Sequence, residues 1–280
     1  MFKSVFRDED IRTFRDEVRR VYREHYREMP WRDAPSPYNV FVSEVMLQQT
    51  QVARVKRKFL PFIERFPGFS VLAETSFAEV LRYWSGMGYN RRARFLQDGA
   101  GRIHREFSGA LPRDPAILKT LPGIGSATAG SIAAFAYDEP TVFIETNIRR
   151  VFLHHFFPDR HDVPDREILP LVEVTLDRNA PRKWYWALMD YGVLLAGSGK
   201  NANRRSAHYV RQSPFEGSTR QLRGMILRDL SRNGVITAEA LPRYGKDNGF
   251  DRTRVQEVLD TLEKERFVCR REDGAITLLT

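Results

Sequence analysis

One carboxylate stands at the head of an otherwise apolar and amide-rich stretch, SEVMLQQTQV, residues 43–52. Burial of an unpaired carboxylate costs free energy and raises its pKa. Two explanations therefore compete for Glu44. It either forms a surface ion pair, with Arg32 or Arg54 as the partner, or it is a general acid whose apolar neighbours keep it protonated near neutral pH.

A glycine-containing turn, LPGIGSATAG at residues 121–130, has residue types and a spacing that are suited to binding a phosphodiester. Gly123 and Gly125 predict positive φ angles and the close approach of another backbone. A helix that starts directly after the turn would point its unpaired N–H groups at an anion. These groups would belong to Ser126, Ala127 and Thr128. The competing interpretation is an ordinary glycine-containing turn between two helices.

The charge of the chain also points to a polyanionic partner. The 280 residues carry a formal net charge of +9, and the segment from residue 216 onward is nearly neutral, so the basic excess lies in the first part. Such an excess is typical of nucleic-acid-binding proteins. The single cysteine, Cys269, excludes an internal disulfide and any zinc or iron–sulfur site built from several cysteines.

Hydropathy indicates neither a membrane span nor a secretory signal. No uninterrupted apolar run approaches the length that a bilayer requires, and the N-terminus is charged from its first residues. We therefore expect an intracellular protein with no membrane partner. If the source is prokaryotic, we expect it in the cytoplasm at the nucleoid.

Periodicity predicts helices through almost all of residues 1–212. The pattern also predicts a helix break near Pro61 and a helix capped by Ser76, with Glu79 three residues later. Residues 213–280 read differently, as three helices followed by a hairpin about an Asp273-Gly274 turn, which is the winged-helix pattern.

Five segments between Trp31 and Gly192 follow one another in an order and at spacings that match a known family: WR, SEVMLQQTQV, GMGYNRRAR, LPGIGSATAG and MDYG. In these segments the chain resembles the helix-hairpin-helix (HhH-GPD) DNA glycosylase superfamily, and most closely its MutY-type adenine DNA glycosylases. The resemblance implies an all-α, two-lobed fold with a small C-terminal winged-helix-like α+β domain. One lobe would comprise residues 35–140 with the hairpin at 121–130. The other would combine residues 1–30 with 141–212.

The resemblance also implies roles for individual residues. Glu44 would be the acid that protonates the base. A base inside the stack must be flipped out before it can react, and Gln48, Gln49 and Thr50 would contact the duplex there, with Gln49 as the wedge. Arg32 would lie near the substrate pocket, although a solvated arginine is an equal alternative.

Met87 and Tyr89 resemble residues that support the distorted base step. Core packing at a helix end is a serious alternative for Met87. Both residues belong to the segment GMGYN.

The second carboxylate is where this chain departs from the family. The usual motif is V-D-x-N, whose aspartate stabilises the oxocarbenium-like sugar, whereas VFIETNIRR places Glu145 there. A carboxylate is retained on a side chain one methylene longer, so electrostatic stabilisation of a cation is still expected. The alternative is that Glu145 merely caps the next helix, with Thr146 or Asn147 as the actual cap.

Two expected chemical groups are missing. Lyases of this superfamily carry a Schiff-base lysine where this chain has Ala127, so we expect a monofunctional enzyme with water as the nucleophile. Many relatives bind a [4Fe–4S] cluster through four cysteines, which correspond here to about Ala196, Asn203, Ser206 and Gln212. No such cluster is expected, and packing by residues 184–186 would replace it. The family also implies a monovalent cation at the hairpin carbonyls.

The sequence therefore predicts a monofunctional DNA glycosylase of base-excision repair that acts as a monomer on double-stranded DNA with a mispaired or damaged base. Adenine opposite guanine or 8-oxoguanine is the leading substrate. The winged-helix-like tail stands where MutY enzymes usually carry a Nudix-like domain, so 8-oxoguanine specificity is an open question. The alternatives are excision of thymine or uracil from mispairs with guanine, and a DNA-binding module without catalysis.

Overall fold

The computed structural model describes residues 7–197, 201–210 and 214–279. The fold is mostly helical with one small sheet, as the sequence predicts. Contacts divide the chain into two compact units: a first unit of Met1–Glu44 with Leu111–Arg211, and a second unit of Val45–Ala110 with Gln212–Thr280. Residues 111–140, which the resemblance placed in the lobe 35–140, thus belong to the same unit as residues 1–44 and 141–211. The predicted domain boundary at 212 stays a prediction.

The first unit is built from helices whose apolar faces meet in one core. Helix α1 (Asp8–His25) buries Phe14, Val18 and Val21, one stripe of an amphipathic helix. Its partner α12 (Pro181–Gly197) is buried mainly between Trp184 and Gly192, and an aromatic cluster about Phe14 joins the two helices. The helices are α1 (Asp8–His25), α2 (Pro30–Asp33), α3 (Pro37–Leu47, which ends in the second unit), α8 (Pro115–Leu118), α9 (Ser126–Tyr137), α10 (Thr146–Phe156), α11 (Asp165–Thr175), α12 (Pro181–Gly197) and a 3-10 turn (Ala202–Arg205).

The second unit combines four central helices with the C-terminal segment. Helices α6 (Phe77–Trp84) and α13 (Thr219–Asn233) pack together, so the C-terminal segment shares a core with residues 45–110. The elements are α4 (Val52–Arg65), α5 (Phe69–Glu74), α6 (Phe77–Trp84), α7 (Arg91–Glu106), α13 (Thr219–Asn233), β1 (Val235–Ile236), α14 (Leu241–Asp247), α15 (Arg252–Lys264), β2 (Val268–Arg270) and β3 (Ile276–Leu278).

The C-terminal segment has the three helices and the closing hairpin that the sequence predicts, together with a short strand, β1, between α13 and α14 that was not predicted. Its antiparallel sheet has the strand order β1-β3-β2, with Val235 opposite Thr277 and Cys269 opposite Thr277 on the other side. Gly274 has a φ of 79°, which allows the tight turn between β2 and β3.

One local prediction was wrong and another held only in part. Helix α4 continues through Pro61, and the break falls earlier, at residues 48–51 between α3 and α4. Ser76 is the N-cap of α6 but makes no side-chain cap bond, and Glu79 instead accepts a 2.7 Å bond from Arg65 Nε. In the part of the chain that the structure describes, no helix is both long and apolar enough to cross a bilayer.

Candidate active site

Glu44 lies near the C-terminal end of α3 and is partly buried. Burial raises its pKa to about 7. The Ser131 hydroxyl and the Arg32 charge act in the opposite direction, while the negative charge of Glu145 adds to the rise. Among the described residues Glu44 forms no ion pair with Arg32, Arg54 or any other cation. Arg32 instead pairs with Asp190 at 2.8 Å. The surface ion-pair explanation therefore fails. A glutamic acid that holds its proton near pH 7 is suited to general acid catalysis.

Ser131 on helix α9 holds the Glu44 carboxyl group, a contact that the sequence did not reveal. Its Oγ lies 2.5 Å from Glu44 Oε2 and 3.0 Å from the Thr128 carbonyl oxygen. A hydroxyl has one proton to donate and can also accept. It therefore donates to Glu44 when the carboxylate is ionised. When Glu44 is protonated, it can accept from the carboxyl group and donate to Thr128.

Glu145 is the N-cap of α10. Its Oε1 accepts bonds of 2.7 Å from the backbone N–H groups of Asn147 and Ile148, and its Oε2 accepts a 3.2 Å bond from Asn147 Nδ2. Burial raises the pKa of Glu145, and these two N–H groups partly offset that rise. The capping alternative is thus confirmed in geometry, but the cap is Glu145 itself rather than Thr146 or Asn147. A carboxylate at a helix N-terminus remains available to stabilise a cation.

Close packing against α9 positions the segment that leads to Glu145. A Cβ on Gly130 would lie 2.7 Å from Phe143 Cβ, so only glycine lets residues 141–145 approach α9 this closely. Thr141 Oγ1 donates to the Gly130 carbonyl at 2.9 Å, and Tyr185 Oη donates to the Thr141 carbonyl at 2.6 Å. Ser131 and the Glu145 segment therefore share one helix as their support.

Arg32 is buried, not solvated. Its guanidinium donates two bonds to Asp190, at 2.8 and 3.0 Å, and lies 5.2 Å from the Trp186 ring centroid. Arg27 Nε donates to the same carboxylate at 2.7 Å. The charge of Arg32 lowers the pKa of Glu44, so Arg32 belongs to the electrostatic surroundings of the acid. Direct contact of Arg32 with a substrate stays a prediction.

The glycine of MDYG lets α12 touch the first turn of α10. A Cβ on Gly192 would lie 2.5 Å from Asn147 Cβ and 2.6 Å from the Asn147 carbonyl oxygen. Arg150 Nη1 locks the contact by donating to the Gly192 carbonyl at 2.7 Å and to Asn147 Oδ1 at 2.9 Å. Because Asn147 binds Glu145, this contact fixes the second carboxylate.

Gly192→Ala is therefore expected to destabilise the protein by about 1–3 kcal/mol, since the methyl group overlaps Asn147. It should also lower activity, because Asn147 must shift away from Glu145. Urea unfolding and a single-turnover assay measure the two effects. Gly197→Ala in the same helix is the control, with nothing within 4 Å of its Cβ, and we expect it to match the wild type. Equal stability of the two variants would contradict the role of Gly192.

The hairpin presents the start of α9 to solvent. Gly123 has a φ of 73°, as predicted, but Gly125 has a φ of −86° and is the N-cap of α9, so the predicted positive φ is wrong there. Nothing lies within 4 Å of a Cβ on Gly125. Residues 125 and 126 are exposed, while Ala127 and Thr128 are partly buried. Exposed N–H groups at the start of a helix suit an anionic ligand.

The resemblance implies a cation at this hairpin, and the turn is compatible with one. The carbonyls of Leu118 and Leu121 accept backbone N–H bonds of 3.1 and 3.2 Å. A carbonyl oxygen has a second lone pair that can face a cation. The cation itself stays a prediction.

A buried arginine shapes the loop that carries Gln48, Gln49 and Thr50. Arg92 donates to the carbonyls of Val45 and Met46 at 2.9 and 2.8 Å, which are the last turn of α3, and to Thr50 Oγ1 at 2.8 Å. Gln49 is exposed and has a φ of 52°. Backbone strain in a non-glycine residue often marks a functional site. Arg92 was not singled out from the sequence, because its carbonyl partners leave no mark in the residue types.

The two residues of the GMGYN segment that were predicted to contact DNA, Met87 and Tyr89, have different surroundings. Met87 is 1% exposed, so the core-packing alternative describes its side chain in the free protein. Tyr89 has a φ of 47°. It follows Gly86 and Gly88, whose φ angles are 87° and 72°, and it precedes the start of α7. Its ring lies within 6 Å of the guanidinium groups of Arg92 and Arg220. Tyr89 thus resembles Gln49 in combining strain with a polar setting.

The segment that aligns with the iron–sulfur ligands is held by other contacts. Asn203 Nδ2 donates to the Thr146 carbonyl at 3.0 Å, Arg205 Nη2 donates to the Leu153 carbonyl at 2.9 Å, and Ser206 forms a bridge with Val163. Ala196, Asn203 and Ser206 supply no thiolate, so these residues do not fit the cluster. Gln212, the fourth position, lies outside the described residues.

Known proteins resemble both the sequence and the fold. A model of the HhH-GPD superfamily of base excision DNA repair proteins matches residues 42–171. An adenine DNA glycosylase of Mycolicibacterium smegmatis is 35% identical over 272 residues, which cover 90% of this chain and 91% of that protein. An adenine DNA glycosylase of Mycobacterium tuberculosis is 44% identical over 131 residues, 46% of this chain, and the match spans less than half of that protein, 43%.

The solved structure of a thermostable thymine-DNA glycosylase matches the fold with a TM-score of 0.60. The alignment covers 67% of this chain and 88% of that one at 21% identity. At this identity the match supports the architecture and carries no information about the base that is excised.

Proposed function

Because this chain belongs to the HhH-GPD superfamily of base excision DNA repair proteins, we propose that it is a DNA glycosylase that hydrolyses the N-glycosidic bond of a mispaired adenine. The observation that carries the proposal is the pair of carboxylates with different tasks. Glu44 holds a proton near pH 7, and Glu145 accepts backbone N–H groups at the start of α10. Similarity to adenine DNA glycosylases over most of the chain supports adenine as the base.

In the proposed reaction the base leaves before or as water attacks. Glu44 protonates the N7 atom of adenine, which makes the base a better leaving group, and its carboxylate then helps to activate water. The developing oxocarbenium ion needs a negative charge nearby, which Glu145 supplies. Ser131 keeps the Glu44 carboxyl group in position in both protonation states.

The residues around the hairpin favour hydrolysis over lyase chemistry. Ala127, at the position of the lyase lysine, has no amine to form a Schiff base. No cluster takes part, since the chain has one cysteine and the aligned residues Ala196, Asn203 and Ser206 carry no thiol. The partner is double-stranded DNA with adenine opposite guanine or 8-oxoguanine. The enzyme acts as a monomer and, in a prokaryote, in the cytoplasm at the nucleoid.

Single-turnover base release from four labelled duplexes tests the proposal. They contain adenine opposite 8-oxoguanine, adenine opposite guanine, thymine opposite guanine, and uracil opposite guanine. We expect release of adenine alone, without strand cleavage before alkaline treatment. Release of thymine or uracil alone would support the alternative substrate. Tight binding with no release from any duplex would support a DNA-binding module.

Gly125→Ala is expected to weaken binding to duplex DNA about tenfold without loss of stability. The φ of −86° and the open space around its Cβ let alanine fit the free protein, whereas the methyl group would obstruct a phosphate at the start of α9. Fluorescence anisotropy and thermal unfolding measure the two effects. Gly68→Ala is the matched control, because Gly68 is also an extended N-cap with nothing within 4 Å of its Cβ. Unchanged affinity of the Gly125 variant would contradict phosphate binding at this turn.

A further inference from the structure

A cavity of about 870 Å³ in the second unit contains residues that the proposed function does not yet use. Its walls come from the Gln48–Gln51 loop, the GMGYN segment with the start of α7, and the first residues of the C-terminal segment. The volume is within the range of small-molecule binding sites. The C-terminal contributors are Phe215, Arg220, Arg223 and Gly224.

The lining has the chemistry of a nucleobase site. It combines arginines and side-chain amides with the aromatic rings of Tyr89, Phe95 and Phe215, and its lining residues include no aspartate or glutamate. Hydrogen-bond donors suit the carbonyl groups of a base, aromatic rings suit its faces, and arginines suit the adjacent phosphates. Glu44 and Glu145 are not among the lining residues, so a base bound here is not the one that is hydrolysed.

Arg220, in the first turn of α13, is anchored in this cavity. Its Nη1 donates to Tyr89 Oη at 2.8 Å, and its Cζ lies 5.9 Å from the Tyr89 ring centroid. A guanidinium group presents five donors in one plane, so it can bind a phenol and a base carbonyl together. Arginine is the side chain that most often reads the O6 edge of guanine.

Phe215 is an aromatic ring at the cavity wall that is 60% exposed. Its backbone is fixed, because its carbonyl accepts bonds from Ser218 N at 3.2 Å and Ser218 Oγ at 2.6 Å. An exposed ring on a fixed turn is suited to stacking on a base.

The C-terminal segment is held firmly enough to form part of such a site. The rings of Phe77 and Phe267 meet edge to face at 5.3 Å, and Arg94 Nη2 donates to the Arg266 carbonyl at 2.7 Å. Arg223 Nη2 donates to Glu265 Oε2 at 2.5 Å. Since the segment is nearly neutral, its role follows from these few placed side chains rather than from general attraction to DNA.

We propose that Phe215 and Arg220 make this cavity a specificity site for the base opposite the excised one. Phe215 stacks on that base, and Arg220 donates to its O6 carbonyl. Guanine and 8-oxoguanine both carry O6, whereas cytosine does not. The inference rests on the proposed function only in assuming a base pair from which one member is removed.

Equilibrium binding to product-like duplexes tests the site without any need for excision. A tetrahydrofuran abasic analogue is placed opposite guanine, 8-oxoguanine, cytosine, or a second tetrahydrofuran. Arg220→Ala and Phe215→Ala are each expected to weaken binding about tenfold or more with the two purines and to leave the double-tetrahydrofuran duplex within twofold. Arg243→Ala, an exposed arginine on α14, is the charge-matched control and should change no duplex.

Two outcomes would overturn the site. Equal losses on all four duplexes would make Arg220 a phosphate contact, and unchanged purine binding in both variants would remove any role in reading the base. Phe215 is exposed, so its variant keeps the test valid if loss of the Arg220–Tyr89 contact impairs folding. Adenine release is measured in parallel. If adenine is released but the variants keep the wild-type preference for purines, the specificity site is refuted and the glycosylase function is not. If the variants lose that preference but adenine is not released, the glycosylase function is refuted and the specificity site is not.

Discussion

Glu44→Gln is expected to lower the single-turnover rate of adenine release by about 10²–10⁴-fold, the range that a general acid contributes. Glutamine has nearly the same shape and keeps an oxygen for the Ser131 hydroxyl, but it cannot give a proton to the base. Binding to an uncleavable duplex should change little. Glu74→Gln is the control, since that side chain is 74% exposed, and its rate should equal the wild type.

The pH profile gives a second readout of Glu44. The rate should fall as pH rises through about 7, because the protonated acid is the active form. The contribution of Glu44 to the free energy of unfolding also falls as pH rises. The folded pKa exceeds the unfolded value of 4.5, so the native state binds the extra proton, and stability is lost as pH rises from about 4.5 to 7.

Glutamine has no such proton, so Glu44→Gln should match the wild type in melting temperature below about pH 4.5 and exceed it at pH 8. Thermal unfolding across this range compares the two proteins. A wild-type excision rate in the glutamine variant would refute the mechanism. Parallel melting curves would show that burial does not shift the pKa of Glu44.

The helices and the family could be predicted because their signals lie close together in the sequence. The stripe of Phe14, Val18 and Val21 has the helical period, and the core of α1 follows it. The order of three helices and a hairpin likewise identifies the C-terminal fold. Such patterns depend on neighbours within a few residues, and tertiary contacts reinforce them.

The supports of the site could not be predicted, because they join residues far apart in the chain. Ser131 reaches Glu44 across 87 positions, and Arg32 reaches Asp190 across 158. Nothing local distinguishes Ser131 from any other serine in a small-residue helix. The glycines show the same limit. Gly192 is required by the backbone of Asn147, whereas the open surroundings of Gly125 require no glycine in the free protein.

The Asp-to-Glu departure has a structural consequence that can be tested. Glu145 is both the cap of α10 and the proposed partner of the sugar cation. Glu145→Gln keeps an oxygen for the N–H groups of Asn147 and Ile148 but removes the charge. We expect excision to slow by about 10²–10³-fold, as for loss of one electrostatic stabiliser. The free energy of unfolding should change by no more than about 1 kcal/mol.

Because the charge of Glu145 raises the pKa of Glu44, the Gln variant should also move the alkaline limb of the pH–rate profile to lower pH. A residue that only capped α10 would still move this limb through its charge, but it would leave the maximal rate unchanged. Glu145→Asp is the matched control, since it keeps the charge on the shorter side chain of the family motif and should stay within tenfold of the wild type. A wild-type maximal rate in Glu145→Gln would reduce Glu145 to a helix cap and leave Glu44 to act alone.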